Sequence, residues 1–390
     1  MPRKLRISLY VILVCVIFVP WFAWETDRNM VRRWIYPLTG HLAAWSTRCD
    51  EETPPWLKKA ASALATHYAS PTNQLVFVSA SGKQSGCTNG WLSTPLLSQR
   101  TTPETRFRFA SLSKVVAFIG LAQPDIAADT RWLDDVLVQT LRVSPPYRDA
   151  RVDQIRIRHL LNHSAGFDRM RTTDPMVVDK KTPWCPGHVG ELAQTVLQFS
   201  PGTRYAYANL GYCLAAVAYK QRFGRSLWAA LDQDMHLSSY GVDYLYRADS
   251  PVVYNFMNEP MRGPEFIEDF DWRALKAPMG MTGHAAGLAR FITAHRKLLA
   301  LARGMHDSRV ACNEEVPESC YDGLLERRRV GATRVWLQRG YLYGMSALFL
   351  MDQQGNFIVW LGAGSQNPLT LATDFLGKAL IEGATNHVNP

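Results

Sequence analysis

The chain has 390 residues, of which 47% are hydrophobic and 20% charged, and a formal net charge of +9. That length exceeds what one compact core usually organises, and that composition excludes a disordered or low-complexity chain. The basic excess reads as a mildly basic solvated surface without a Lys/Arg cluster; it would suit an anionic wall or membrane surface, and no nucleic-acid-binding signature accompanies it.

The first predicted element is apolar. Pro2-Arg3-Lys4-Leu5-Arg6 precede ISLYVILVCVIFVPWFAW, residues 7–24, which carry no charge. A helix spans a bilayer with roughly 17–25 such residues. Trp21, Phe22 and Trp24 close the run, which suits a membrane interface better than a small-x-small cleavage site. Residues 1–30 are therefore expected to be an uncleaved anchor contacting the lipid bilayer through residues 7–24. Arg28, Arg32 and Arg33 nearly balance Arg3, Lys4 and Arg6, so charge alone sets the orientation weakly. Cysteine usage adds to it. Beyond Cys15 lie Cys49, Cys87, Cys185, Cys213, Cys312 and Cys320, with no CxxC pair to suggest zinc or a redox motif. An even count fits three disulfides in an oxidising compartment, and Cys312 with Cys320, flanking NEEVPES, is the best candidate pair; buried free thiols are the alternative. The expected location is the inner membrane, single-pass, with the body on the periplasmic or extracytoplasmic side.

Residues 31–70 read as a tether with a short helix near 56–67. QLVFVSAS (74–81) alternates as a strand, GKQSG is a turn and CTNGWL a return strand. From 112 to about 304 the spacing is helical: VVAFIGLA, WLDDVLVQTL, IRHLLNH, ELAQTVLQF, YCLAAVAYKQRF, SLWAALDQDMH and LARFITAHRKLLALA, separated by Pro- and Gly-rich loops. Near 333 the period returns to two in TRVWLQRGYLYG, MSALFLMD and NFIVWLGAG, and LATDFLGKALIEGA closes the chain as a helix. The expected class is α/β (α+β). Residues 71–120 and 325–390 form one antiparallel sheet flanked by helices, and 121–324 form an inserted helical lobe. A cleft between such lobes is a usual place for a site.

FRFASLSK, residues 107–114, places Ser111 and Lys114 three apart. On a helix these share a face, so an amine can reach a hydroxyl that is a weak nucleophile without a base. Lysine serves as that base only if burial or a neighbouring cation lowers its pKa. Alone, S-x-x-K is also a helix cap with a surface lysine. Three further stretches accompany it: IRIRHLLNHSAGF (155–167), FSPGTRYAYANLGY (199–212) with Tyr207-Ala208-Asn209, and APMGMTGHAAGLARF (277–291).

Taken in order, these motifs resemble the serine β-lactamase family in its class C, esterase and D-alanyl peptidase-like branch, over about residues 71–388. The resemblance implies a β-lactamase/transpeptidase-like fold, Ser111 as nucleophile, Lys114 as general base and Tyr207 as proton carrier. It implies that Asn209 holds the substrate's amide or carbonyl, and that the backbone N–H groups of Ser111 and Tyr341 form the oxyanion hole. The family's third motif, K-T-G or H-x-G, matches Gln338-Arg339-Gly340, with Gly344 four residues after Gly340. Gln338 and Gly340 are expected to line the substrate site, but Gln338 brings no charge. Arg339, next along a strand, is expected to point to the opposite face. Tyr341 and Tyr343 are expected to narrow the cleft.

These expectations favour a serine hydrolase that acts through an acyl-serine on a small-molecule or peptide amide or ester, with D-amino-acid and cell-wall peptides among the substrates it admits. Neutral Gln338 disfavours β-lactams and free carboxylates. A catalytically silent binder of a cell-envelope partner and an acyltransferase are the alternatives. No metal or organic cofactor is expected. His159 and His163 sit at i, i+4 without the rest of a metal motif, His284 is a candidate helix cap, and no G-x-S-x-G supports an α/β-hydrolase.

Overall fold

A computed structural model describes residues 3–127, 131–176, 183–244, 270–305, 310–342, 344–363 and 366–386. Helix α1 (Arg3–Thr26) covers the apolar run and α2 (Arg28–Trp45) follows it, started by Asp27, whose carboxylate accepts the Met30 N–H at 2.9 Å. The stretch expected as a tether is therefore mostly helix. Its partner is α3 (Pro55–His67). Ala43 packs with Ala65 and Trp91, and the Tyr36 hydroxyl donates to the Ala65 carbonyl. A side chain at Gly40 would stand 2.8 Å from that same carbonyl, so glycine permits the approach. Among the described residues no helix is long and apolar enough to cross a membrane, and the side chains of residues 1–13 lie outside them.

The remaining helices are α4 (Ser113–Ala127), α5 (Leu137–Leu141), α6 (Ile157–Leu161), α7 (Asn209–Phe223), α8 (Leu227–Gln233), α9 (Trp272–Met279), α10 (Ala285–Ala294), α11 (Arg296–Gly304) and α12 (Gln366–Asn386). Two expected helices are shorter than their spacing suggested. ELAQTVLQF forms only a 3-10 turn over Val189–Gln194, because the next backbone groups bond elsewhere: Leu197 N–H to the Asp149 carboxylate and Gln198 N–H to Gly166 O. WLDDVLVQTL is interrupted where Val136 bridges to Arg156.

The strands are β1 (Arg48–Cys49), β2 (Thr72–Val78), β3 (Gln84–Gly90), β4 (Phe107–Arg108), β5 (Asp243–Tyr244), β6 (Met281–Gly283), β7 (Tyr321–Asp322), β8 (Leu325–Val330), β9 (Thr333–Leu342), β10 (Met345–Met351) and β11 (Phe357–Ala363). Among the described residues, eight form one antiparallel sheet in the order β1-β3-β2-β11-β10-β9-β8-β7. The two ends of the body meet where β11 pairs β2, Trp360 opposite Leu75. Both faces of the central strands are buried, as expected for a covered sheet. Leu348, Leu350 and Ile358 pack with Leu57 and Leu64 of α3 and Leu376 and Leu380 of α12. Ala347, Phe349 and Val359 face the larger core shared with α4, α7 and α10.

Strand β3 begins inside the expected GKQSG turn, which is correspondingly tighter. Strand β8, LERRRV, had no strand signature because its charges mask it. Its Glu326 is buried, with Oε2 paired to Arg339 at 2.6 Å and Oε1 3.6 Å from Arg328. A smaller sheet, β4-β6-β5, joins Phe107–Arg108 to two short strands of the helical region. Three disulfides form, as expected: Cys49–Cys87, Cys185–Cys213 and Cys312–Cys320.

Candidate active site

Ser111 lies in a 3-10 turn, Ala110–Leu112, rather than on the following helix α4. The turn is anchored from both sides. Phe109 N–H donates to Met281 O at 2.8 Å, and Leu112 N–H donates to Phe109 O at 3.0 Å. Ala110 takes a left-handed φ of 47°, a conformation that non-glycine residues adopt only when their surroundings enforce it. Strand β9 runs against this turn. A side chain at Gly340 would stand 2.3 Å from Phe109 O and 2.9 Å from Leu112 N, so only glycine lets the strand reach the serine. Lys114 follows in the first turn of α4, three residues on, which brings its side chain back to the Ser111 side.

Lys114 is fully buried. Its Nζ stands 3.2 Å from Ser111 Oγ, 2.5 Å from the Tyr207 hydroxyl, 2.9 Å from Asn209 Oδ1 and 3.0 Å from Pro278 O. The Tyr207 hydroxyl is 2.6 Å from Ser111 Oγ, closing a triangle of three reactive groups. Burial pushes the Lys114 amine well below the usual lysine range; Asp174 opposes that shift and Arg169 adds to it. A neutral amine has two N–H groups. Asn209 Oδ1 and Pro278 O can only accept, so they take both and leave the nitrogen lone pair to the two hydroxyls. Burial raises the Tyr207 phenol, opposed first by its hydrogen bond with Ser111.

Asn209 is itself buried at the start of α7. Its Nδ2 donates to Asp174 Oδ1 at 3.0 Å and its backbone N–H to Asp174 Oδ2 at 2.6 Å. That carboxylate fixes which end of the amide faces Lys114. Asn209, expected to hold substrate, thus spends both ends of its amide inside the protein. Asp174 had no signal in the polar stretch RTTDPM, and the Pro278 carbonyl has none in any sequence.

Gln338 does reach the site: its Nε2 donates to Ser111 O at 3.2 Å and to Arg339 O at 3.0 Å. Arg339 points to the other face, as expected, and is held by Glu326. Tyr341 shares that face and packs against the α3/α12 core, so its side chain does not narrow the cleft. Tyr343 lies outside the described residues. His159 and His163 do not converge: the first accepts the Arg156 N–H at 3.2 Å and the second the Ala208 N–H at 3.4 Å. Among the described residues no three His, Cys, Asp or Glu side chains are grouped to hold a metal. His284 caps α10, accepting the Gly287 N–H at 3.0 Å.

Known proteins resemble this one in both sequence and fold. The probable fimbrial assembly protein FimD, serogroup H1, of Dichelobacter nodosus is 28% identical over 360 residues, 91% of this chain and 90% of that one. The D-amino acid amidase of Ochrobactrum anthropi SV3 superposes with a TM-score of 0.65 at 17% identity, over 86% of this chain and 97% of its own. A beta-lactamase/D-alanine carboxypeptidase from Yersinia pestis gives 0.64 at 15% identity, over 84% and 97%. The two structural likenesses establish the fold. The beta-lactamase family matches residues 89–339, a span that includes Ser111, Lys114, Tyr207, Asn209 and Gln338, and the chain belongs to that family.

Proposed function

We propose that this protein is a serine hydrolase that cleaves an amide or ester of a D-amino acid or short peptide through an acyl-Ser111 intermediate. One observation carries the reading: a fully buried lysine amine within reach of both Ser111 Oγ and the Tyr207 hydroxyl, with Asn209 Oδ1 and Pro278 O as its other oxygen partners. Ser111 Oγ attacks the carbonyl carbon, and its proton passes to Lys114 directly or through Tyr207. The backbone N–H groups of Ser111 and Tyr341 receive the oxyanion. As the tetrahedral intermediate collapses, the leaving amine or alcohol takes that proton. Water then enters by the same path and releases the acid. Asn209 is a positioning residue in this scheme, holding the Lys114 amine in register under the control of Asp174.

The D-amino-acid class follows from likeness to the D-amino acid amidase fold. We also propose that residues 7–24 anchor the chain, with the body on the oxidising side of the membrane. The exposed side chains of Trp21 and Phe22 and the three disulfides support this. A reporter fused to the C-terminus that is active only in the cytoplasm would reverse that topology.

A second reading, a silent member that binds a cell-envelope partner, is favoured by the likeness to a protein named for fimbrial assembly. An acyltransferase would use the same acyl-Ser111, with an amine or alcohol replacing water. Intact-mass measurement after treatment with a fluorophosphonate separates these readings. The hydrolase reading expects one adduct on the wild type and none on Ser111→Ala. A wild type that stays unlabelled supports the silent binder; with an acyl ester as a second probe, faster loss of the acyl group from Ser111 on adding amine acceptors supports the transferase.

A further inference from the structure

The third-motif position next to Ser111 is neutral, and the arginine beside it is turned away and paired. Among the described residues another cation stands near the reacting groups. Arg169 lies on the loop between α6 and α7, and its guanidinium carbon is 5.9 Å from the centre of the Tyr207 ring. Its Nη2 donates to Met176 Sδ at 3.1 Å, a weak acceptor. Its Nε is buried and, among the described residues, has no hydrogen-bond partner. A buried guanidinium nitrogen left in that state costs stability, and an anionic ligand is one way to complete the set.

The loop holds Arg169 in place. Asp168 O accepts the Thr172 N–H at 2.8 Å and the Thr172 hydroxyl at 2.6 Å, and Asp168 N–H returns to Thr172 Oγ1 at 3.0 Å. Further on, Asp174 ties the loop to Asn209. The nearby Asp174 carboxylate is occupied by Asn209 and by the Met176 N–H, which leaves the Arg169 fork available to an outside anion.

We propose that Arg169 is the anion-binding residue of this site, and that its substrate carries a carboxylate a few bonds from the scissile carbonyl, as an N-acyl-D-amino acid or a peptide ending in one does. The inference rests on the reading of the cleft at Ser111 as a substrate site. It reverses the expectation that neutral Gln338 disfavours carboxylates, because the charge comes from a loop distant in sequence. A planar guanidinium suits a carboxylate by two parallel hydrogen bonds.

Calorimetric titration of the full chain with N-acetyl-D-phenylalanine and with its carboxamide tests this. The wild type should bind the carboxylate about tenfold more tightly than the amide. Arg169→Gln should erase that preference, and Arg169→Lys should keep part of it as a point charge without the fork. Melting temperatures of the variants confirm that they fold. A wild type with no preference for the carboxylate, or an Arg169→Gln variant that keeps it, overturns the proposal. A role limited to tuning Tyr207 and Lys114 would change acylation equally for charged and neutral probes and leave the binding preference intact. The fluorophosphonate result on Ser111 stands apart from this one, so the hydrolase reading and the Arg169 reading can fail separately.

Discussion

Lys114 and the arginines of β8 and β9 are buried or nearly buried cations handled in opposite ways. Arg327 meets Glu314 at 2.9 Å and Asp322 at 3.1 Å, Arg328 meets Asp374 at 3.1 Å, and Arg339 meets Glu326 at 2.6 Å. Each guanidinium has a carboxylate partner. Lys114 has four oxygen partners and none is a carboxylate. The acidic group that acts on it most, Asp174, is turned to Asn209 instead, and Glu318 adds a weaker effect. Paired charge builds the edge of the sheet, whereas burial without a carboxylate partner pushes the Lys114 amine toward its neutral form, the form the proposed mechanism uses as base.

Lys114→Met is the largest test of that contrast. It should slow acylation of Ser111 about a thousandfold, the usual scale for a lost general base, while the melting temperature holds or rises. In the wild type the acylation rate should fall as pH drops through the pKa of Lys114 in the fold, because only the neutral amine accepts a proton, with a midpoint well below 10.5. A rate that ignores pH in this range, or survives Lys114→Met, places the base elsewhere.

Glu326→Gln is the converse. It should cost about 3 kcal/mol in urea unfolding by leaving Arg339 only its longer contact with Glu318 at 3.8 Å, yet keep Ser111 acylation within about twofold. Loss of acylation without loss of stability would break the division between the two regions. Asp174→Asn sits between them. It should slow acylation up to about a hundredfold by freeing the Asn209 amide to turn, with a smaller stability loss of about 2 kcal/mol.

The smallest effect concerns His163, which lies against the Tyr207 ring at 4.5 Å between centroids. Burial holds its imidazole well below the usual histidine value of about 6.5. The unfolded chain therefore binds a proton that the fold refuses, so stability should fall as pH drops below about 6.5, by no more than about 1.4 kcal/mol per pH unit from this group. His163→Gln should flatten that part of the stability profile, and an unchanged slope would assign it to other groups.

The strands β2, β9, β10 and β11 were legible because alternation and flanking turns carry their own signal. Helices α7, α10 and α11 were legible in the same way. Strand β8 was hidden by Glu326-Arg327-Arg328-Arg329, charges that read as surface until their partners are seen. The helix α2 was hidden because its apolar residues make sense only against α3. In the site, Ser111, Lys114 and Tyr207 were legible as residue types at fixed spacing within motifs. Asp174, Arg169 and the Pro278 carbonyl were not, since each matters through one contact made across a long stretch of chain.

By itself, then, the sequence determined the fold class, the serine with a lysine three residues on, and an even set of cysteines. Those are local patterns, set by backbone period and by which side chains can neighbour one another along a turn. Only the tertiary structure decided how the cysteines pair, which amide oxygen faces Lys114, and whether a positive charge stands near the reacting serine. Pairing and protonation depend on distance and burial in three dimensions, and two of the groups that set them here, Arg169 and Asp174, lie on a loop with no pattern of its own.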